Sequence, residues 1–176
     1  MKAERLFLKI LAPGLFCLLM VLPTRTAAQT TNHKAYAIFL YNFTKYVHWP
    51  AGSLADDFKI TVVGSSKVTQ ELTILVQNKT VLGKKIIVSQ VNTAQELTTA
   101  HLVYLSGGRS GDLEELLQKL AGKPVLVVTE RDGLVRKGAS ISFVTLEDNS
   151  LRFTLNDKAL NNLQIAQELK SLAYKE

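Results

Sequence analysis

The chain has 176 residues, of which 47% are hydrophobic, enough for one domain with a packed core. Its formal net charge of +6 falls to +3 beyond residue 28, because residues 1–28 hold four of the 21 basic and one of the 15 acidic residues. No cluster of lysine or arginine remains after that point, so the composition argues against nucleic-acid binding.

The first 28 residues are predicted to be a secretory signal peptide. Basic residues among the first nine precede an apolar run over residues 10–22, and the small residues Thr26 and Ala28 occupy the −3 and −1 positions of a cleavage site. The apolar run has 13 residues, fewer than the roughly 20 that a membrane-spanning helix needs. We therefore expect a single mature domain over residues 29–176, located in the periplasm.

Cys17 is the only cysteine and would leave with the signal peptide. The three residues before it are a poor lipidation signal, and apolar residues continue beyond it, so we do not interpret the segment as a lipoprotein anchor. A mature chain without cysteine uses no disulfide even in an oxidising compartment. We expect its stability to be independent of reductants.

An amphipathic helix is predicted to begin the mature domain. Apolar residues, Ile38, Phe43 and Tyr46 among them, recur at three- and four-residue intervals over residues 35–47 and indicate one buried helical face. The helix is expected to end before Pro50, because proline cannot continue a helix.

Strands and helices alternate through the middle of the chain. Four runs rich in valine, isoleucine and leucine predict strands over residues 58–63, 86–91, 101–105 and 124–129. The segments between them carry helical patterns over residues 68–78, 93–97 and 113–120. Runs that are apolar throughout are typical of strands buried on both faces of a parallel sheet.

The pattern changes in the last quarter of the chain. Residues 140–146 and 151–155 alternate polar and apolar side chains on either side of a turn and predict an antiparallel hairpin. A final helix is predicted to carry Leu163, Leu169 and Leu172. Together the elements predict an α/β fold, a three-layer sandwich with a mostly parallel central sheet and an antiparallel hairpin at one edge.

Catalytic and metal-binding patterns are missing from the mature sequence. His33, His48 and His101 are not spaced as metal ligands, and no serine lies in a nucleophile-elbow motif. His101 opens a buried-looking strand, so we interpret it as a structural histidine. The sequence therefore predicts neither an enzyme nor a bound cofactor or metal.

A ligand site is predicted where the parallel strands end. Open α/β sheets bind ligands in the crevice at the carboxyl ends of their strands, and a loop that leads into a helix can bind anions through backbone N–H groups. The candidate ligand-binding residues in these loops are Ser65, Ser106, Arg109 and Thr129. A flexible loop without a ligand is the interpretation that the sequence favours, and a small-molecule or peptide pocket at these residues is the alternative.

Six segments resemble the YfiR family, the domain also called DUF4154. The first is a helix that ends in an aromatic-rich stretch, residues 34–50 (KAYAIFLYNFTKYVHWP). The others follow in the family's order at residues 60–64, 83–86, 101–106, 124–129 and 151–156. Their order and spacing extend the resemblance over nearly the whole mature chain.

The resemblance implies a regulatory protein. Well-known relatives are periplasmic proteins that bind the outward-facing sensor domain of a membrane diguanylate cyclase and hold it inactive, which limits cyclic di-GMP and biofilm. The expected partner here is such a domain or that of a sensor kinase, and a homodimer is left open. Relatives often have a cysteine where this chain has Ala100, so disulfide-dependent control is not expected.

The predicted partner-binding residues are Arg152, Ile165 and Leu169. Arg152 alternates away from the apolar side of the hairpin, and Ile165 lies outside the main apolar stripe of the predicted last helix. The second candidate function is a periplasmic small-molecule-binding protein, alone or as the input to a histidine kinase. An exported hydrolase ranks third, because no catalytic constellation is recognisable.

Overall fold

The computed structural model describes residues 33–175. The predicted signal peptide and its cleavage site lie outside the described residues. The helices are α1 (His33–Tyr46), α2 (Val68–Val76), α3 (Leu113–Lys119) and α4 (Gln167–Leu172). The strands are β1 (Val47–His48), β2 (Phe58–Val63), β3 (Thr80–Val81), β4 (Lys84–Val91), β5 (Leu102–Leu105), β6 (Leu126–Thr129), β7 (Ile141–Thr145), β8 (Leu151–Leu155) and β9 (Gln164–Ile165).

A seven-stranded sheet in the order β3-β4-β2-β5-β6-β7-β8 forms the centre of the domain. The five central strands, β4, β2, β5, β6 and β7, run parallel to one another. At the edges of the sheet, β3 pairs antiparallel with β4 and β8 pairs antiparallel with β7. The predicted α/β class, the mostly parallel sheet and the edge hairpin, β7–β8, are confirmed. Strands β1 and β9 form a separate antiparallel pair.

Helices cover both faces of the sheet because its central strands are apolar on both sides. Ile60 and Tyr104 belong to a core beneath α1, α2 and α4, while Val63 and Val103 belong to a second core beneath α3. Burying both faces in this way stabilises a parallel sheet that no disulfide supports. Within residues 33–175, no helix is long and apolar enough to cross a membrane.

The buried face of α1 differs from the predicted one. The helix buries Tyr36, Leu40 and Phe43, whereas Ile38 is 42% exposed and Tyr46 37% exposed. Apolar residues occur almost all around this helix, so the intervals alone allow more than one stripe. The sheet selects between them, because the ring of Phe43 packs against two aromatic rings of β7 and β8 at centroid distances of 6.0 and 5.2 Å.

The predicted last helix is shorter than expected. Asn161 and Asn162 adopt left-handed φ angles of 45° and 69°, which breaks any helix at that point. Leu163 lies in the turn that follows, and Ile165 lies in β9, opposite Val47 of β1. Only Gln167–Leu172 is helical. Placing Leu163 and Ile165 on a helix was therefore wrong.

Candidate functional site

Three of the predicted ligand loops meet at the carboxyl ends of β2, β5 and β6. Gly64 has a left-handed φ of 93°, and an added Cβ there would lie 2.2 Å from Ser106 Oγ and 2.4 Å from Arg109 Cγ. The Arg109 guanidinium turns away to Asp112, with 2.6 Å between Nη2 and Oδ2. The Gly107 N–H donates to Glu130 Oε2 at 2.8 Å. Ser106 and Arg109 therefore share one compact corner with Glu130.

The side chains of the other two predicted ligand residues, Thr129 and Ser65, have different surroundings. Thr129 is buried and its hydroxyl lies 2.7 Å from the hydroxyl of Ser142, within the sheet. Ser65 is exposed on the loop after β2. The structure thus groups Ser106 with Arg109, whereas the Thr129 hydroxyl is engaged within the sheet and Ser65 is exposed. A ligand at these four residues stays a prediction.

Two tyrosines that the sequence analysis missed adjoin this corner. Burial, and then the nearby Glu130 carboxylate, raise the pKa of Tyr104 far above its usual range and raise the pKa of Tyr36 as well. Both phenols therefore stay protonated. The Tyr104 hydroxyl and the Ser106 hydroxyl are buried without a hydrogen-bonding partner of good geometry among the described residues. Tyr104 went unnoticed because it lies inside an apolar strand.

A second cluster forms at the amino ends of the same strands around His101. Its Nδ1 accepts the Lys59 backbone N–H at 2.9 Å, and its Nε2 lies 2.9 Å from the Ser53 carbonyl oxygen. The imidazole ring stacks on Phe58, with centroids 5.0 Å apart. Trp49 packs edge-on against the same phenyl ring, and its indole N–H donates to the His101 carbonyl at 3.2 Å.

These contacts fix the protonation state of His101. A ring nitrogen that accepts a backbone N–H cannot carry a proton, so the neutral form fits this site. Burial lowers the pKa of His101, and the Lys59 ammonium lowers it further, while the Ser53 carbonyl and Asp56 act in the opposite direction. Both of its ring nitrogens form hydrogen bonds within the domain. The arrangement is that of a structural histidine, as the sequence predicted.

The predicted partner-binding residues differ in their exposure. Arg152 on β8 is exposed, whereas Ile165 is 9% exposed and Leu169 is buried. The prediction that Ile165 lies on an outer helical face was wrong, because the residue lies in β9 and pairs with Val47 of β1. Their role in partner binding stays a prediction.

The chemistry of the described residues is limited. No group of three or more histidine, cysteine, aspartate or glutamate side chains in residues 33–175 could hold a metal ion.

Residues 33–174 match the family model described as YfiR/HmsC-like, DUF4154. No curated protein matches the chain.

Proposed function

The chain belongs to the YfiR/HmsC-like family, and from that membership we propose that it binds the outward-facing sensor domain of a membrane diguanylate cyclase and holds that enzyme inactive. The family is regulatory, not catalytic, and is known for periplasmic regulators of diguanylate cyclase. The observation that supports the proposal most is the extent of the match, residues 33–174, which is all but the last described residue. Binding would lower cyclic di-GMP and restrain biofilm.

The proposed contact includes a C-terminal surface made of Arg152, Leu172 and Tyr174. Leu172 is 63% exposed at the end of α4, and Tyr174 is exposed next to it. The Tyr174 N–H donates to the Phe153 carbonyl at 2.8 Å, which holds the end of the chain against the edge strand β8. Tyrosine and arginine side chains are common anchors of protein interfaces, and Leu172 adds exposed apolar area beside Tyr174. Leu169 would support this surface from beneath.

Deletion and complementation test the proposal in the natural host. Deleting the gene should raise cyclic di-GMP, and restoring the wild-type chain should bring it back to the starting level. The Leu172→Asp variant should restore it poorly, since loss of an interface anchor costs about 2 kcal/mol, roughly thirtyfold in affinity.

Ile74 supplies the matched control for this substitution. It lies on α2, at the other edge of the sheet, and is also 63% exposed. Ile74→Asp should repress as well as the wild-type chain does. Unchanged cyclic di-GMP on deletion would rule out a cyclase as the target. A change in the phosphorylation of a sensor kinase in the same strain would then favour the kinase as partner.

A further inference from the structure

A cavity of about 350 Å³ opens at the amino ends of β2, β5 and β6. Ala100, Leu120, Pro124 and Val125 form its apolar wall. It lies at the end of the strands opposite to the corner that holds Ser106. Binding pockets for small molecules are commonly apolar cavities of this size with a few polar groups at defined positions.

The part of the cavity wall that His101 forms is held in place by several contacts. The His101 ring lines the cavity and is held by both of its nitrogens and by the Phe58 ring. The backbone of the same residue is also fixed, because its N–H donates to the Lys59 carbonyl and its carbonyl accepts from Leu126, both at 2.9 Å. A wall held at so many points does not have to be ordered when a ligand enters, which favours binding.

The charged groups of the lining are two lysines and one aspartate. Lys59 Nζ donates to Thr99 Oγ1 at 3.3 Å and keeps two further N–H donors. Lys123 forms no ion pair or hydrogen bond through its side chain within the described residues, and neither lysine pairs with Asp56. Two ammonium groups against one carboxylate leave an excess of one positive charge. The cavity therefore favours a ligand with a single negative charge.

We propose that this cavity binds a small organic carboxylate whose apolar body lies against Leu120, Pro124 and Val125 and whose carboxylate meets Lys59 and Lys123. If each non-hydrogen atom takes about 30 Å³, the share of one water molecule in the liquid, a cavity of about 350 Å³ accommodates a ligand of about twelve such atoms. This site is separate from the C-terminal surface and does not depend on the proposed function.

Three probes with one apolar chain and different head groups test the proposal on the purified protein, processed as the cell processes it. They are octanoate, octan-1-ol and octylammonium, titrated while amide NMR shifts are followed. Octanoate should bind saturably and shift the amides of Ala100, His101 and Val125. Octan-1-ol should bind about tenfold more weakly, because it lacks the charge-assisted hydrogen bond. Octylammonium should bind more weakly still.

Variants of the lining residues distinguish the contribution of the two lysine charges to binding from that of the cavity volume. The double variant Lys59→Met, Lys123→Met should bind octanoate about tenfold more weakly than the wild type does, with an affinity similar to that for octan-1-ol. Its affinity for octan-1-ol should be unchanged. Ala100→Phe should abolish binding of both by filling the cavity. Lys158→Met, an exposed lysine on the turn after β8, is the matched control and should bind octanoate as the wild type does.

Three results would overturn the inference. The first is the absence of saturable binding by every probe to the wild-type protein. The second is equal affinity for octanoate and octan-1-ol, which would remove the assigned carboxylate class. The third is a set of shifts confined to the opposite end of the sheet, around Ser106 and Arg109, which would place the ligand in another site.

Discussion

At the scale of single residues, His101 links the stability of the domain to pH. Its folded-state pKa lies below the ordinary value of 6.5, so the unfolded chain binds more protons between those two pKa values. We predict that the free energy of unfolding is fully maintained above pH 6.5 and falls as the pH drops through that interval. Urea unfolding at pH 7.5, 6.5 and 5.5 measures the effect.

Two histidine variants identify the group responsible. His101→Gln should be less stable at pH 7.5 and should lose much of the dependence on pH, because glutamine does not titrate. His48→Gln, at an exposed position of β1, should keep the wild-type dependence. Equal pH dependence in His101→Gln and the wild type would show that His101 does not carry the linkage.

Substitution of Gly64 tests how closely the corner around Ser106 and Arg109 is packed. A left-handed non-glycine residue costs about 1–2 kcal/mol, and a Cβ at Gly64 also meets Ser106 Oγ at 2.2 Å. Gly64→Ala should therefore lower the free energy of unfolding by more than about 2 kcal/mol. Gly52→Ala is the matched control, since Gly52 has a similar φ of 87° but no atom within 4 Å of the added Cβ. Similar losses in both variants would show that the corner is loosely packed.

At the scale of elements, the small sheet β1–β9 attaches the end of the chain to α1. The Ala166 N–H donates to the Tyr46 carbonyl at 2.8 Å, which extends this attachment towards α4. Ile165→Asp should destabilise the fold by about 3 kcal/mol or more, because it buries an unpaired charge. Leu172→Asp, at a mostly exposed position, should change stability by less than about 0.5 kcal/mol.

Chemical denaturation distinguishes these outcomes. A fully stable Ile165→Asp protein would mean that β1–β9 contributes little and would return Ile165 to the set of interface candidates. A destabilised Leu172→Asp protein would make its effect on repression uninformative about partner contact.

Long apolar elements were predictable from the sequence, and short ones were not. β2 was predicted with the bounds that the structure gives, and β5, β6 and α2 nearly so, because continuous apolar runs and helical intervals define them locally. The two-residue strands β1, β3 and β9 have no periodicity to detect. β1 and β9 form because two distant segments meet, as Val47 and Ile165 do, whereas β3 pairs with the adjacent strand β4 across a tight turn.

The candidate sites show the same difference between features that local sequence patterns define and features that depend on contacts between separate segments. The sequence located the loops at the carboxyl ends of the strands, because the order of strands and helices determines which loops share an edge. It missed Tyr104, whose proximity to Glu130 depends on side-chain direction within the sheet. It also missed the cavity beside His101, since three separate segments form it.

At the scale of the whole molecule, the proposed function requires that the C-terminal surface contacts a membrane diguanylate cyclase. Site-specific photo-crosslinking in the natural host tests this most directly. A benzophenone-bearing amino acid is placed at position 172 or, as the control, at position 74, and the proteins that become attached on irradiation are identified by mass spectrometry. We predict that a membrane diguanylate cyclase is attached through position 172 and not through position 74. Attachment of no diguanylate cyclase at either position, with both chains folded and exported, would contradict the proposed binding to that enzyme.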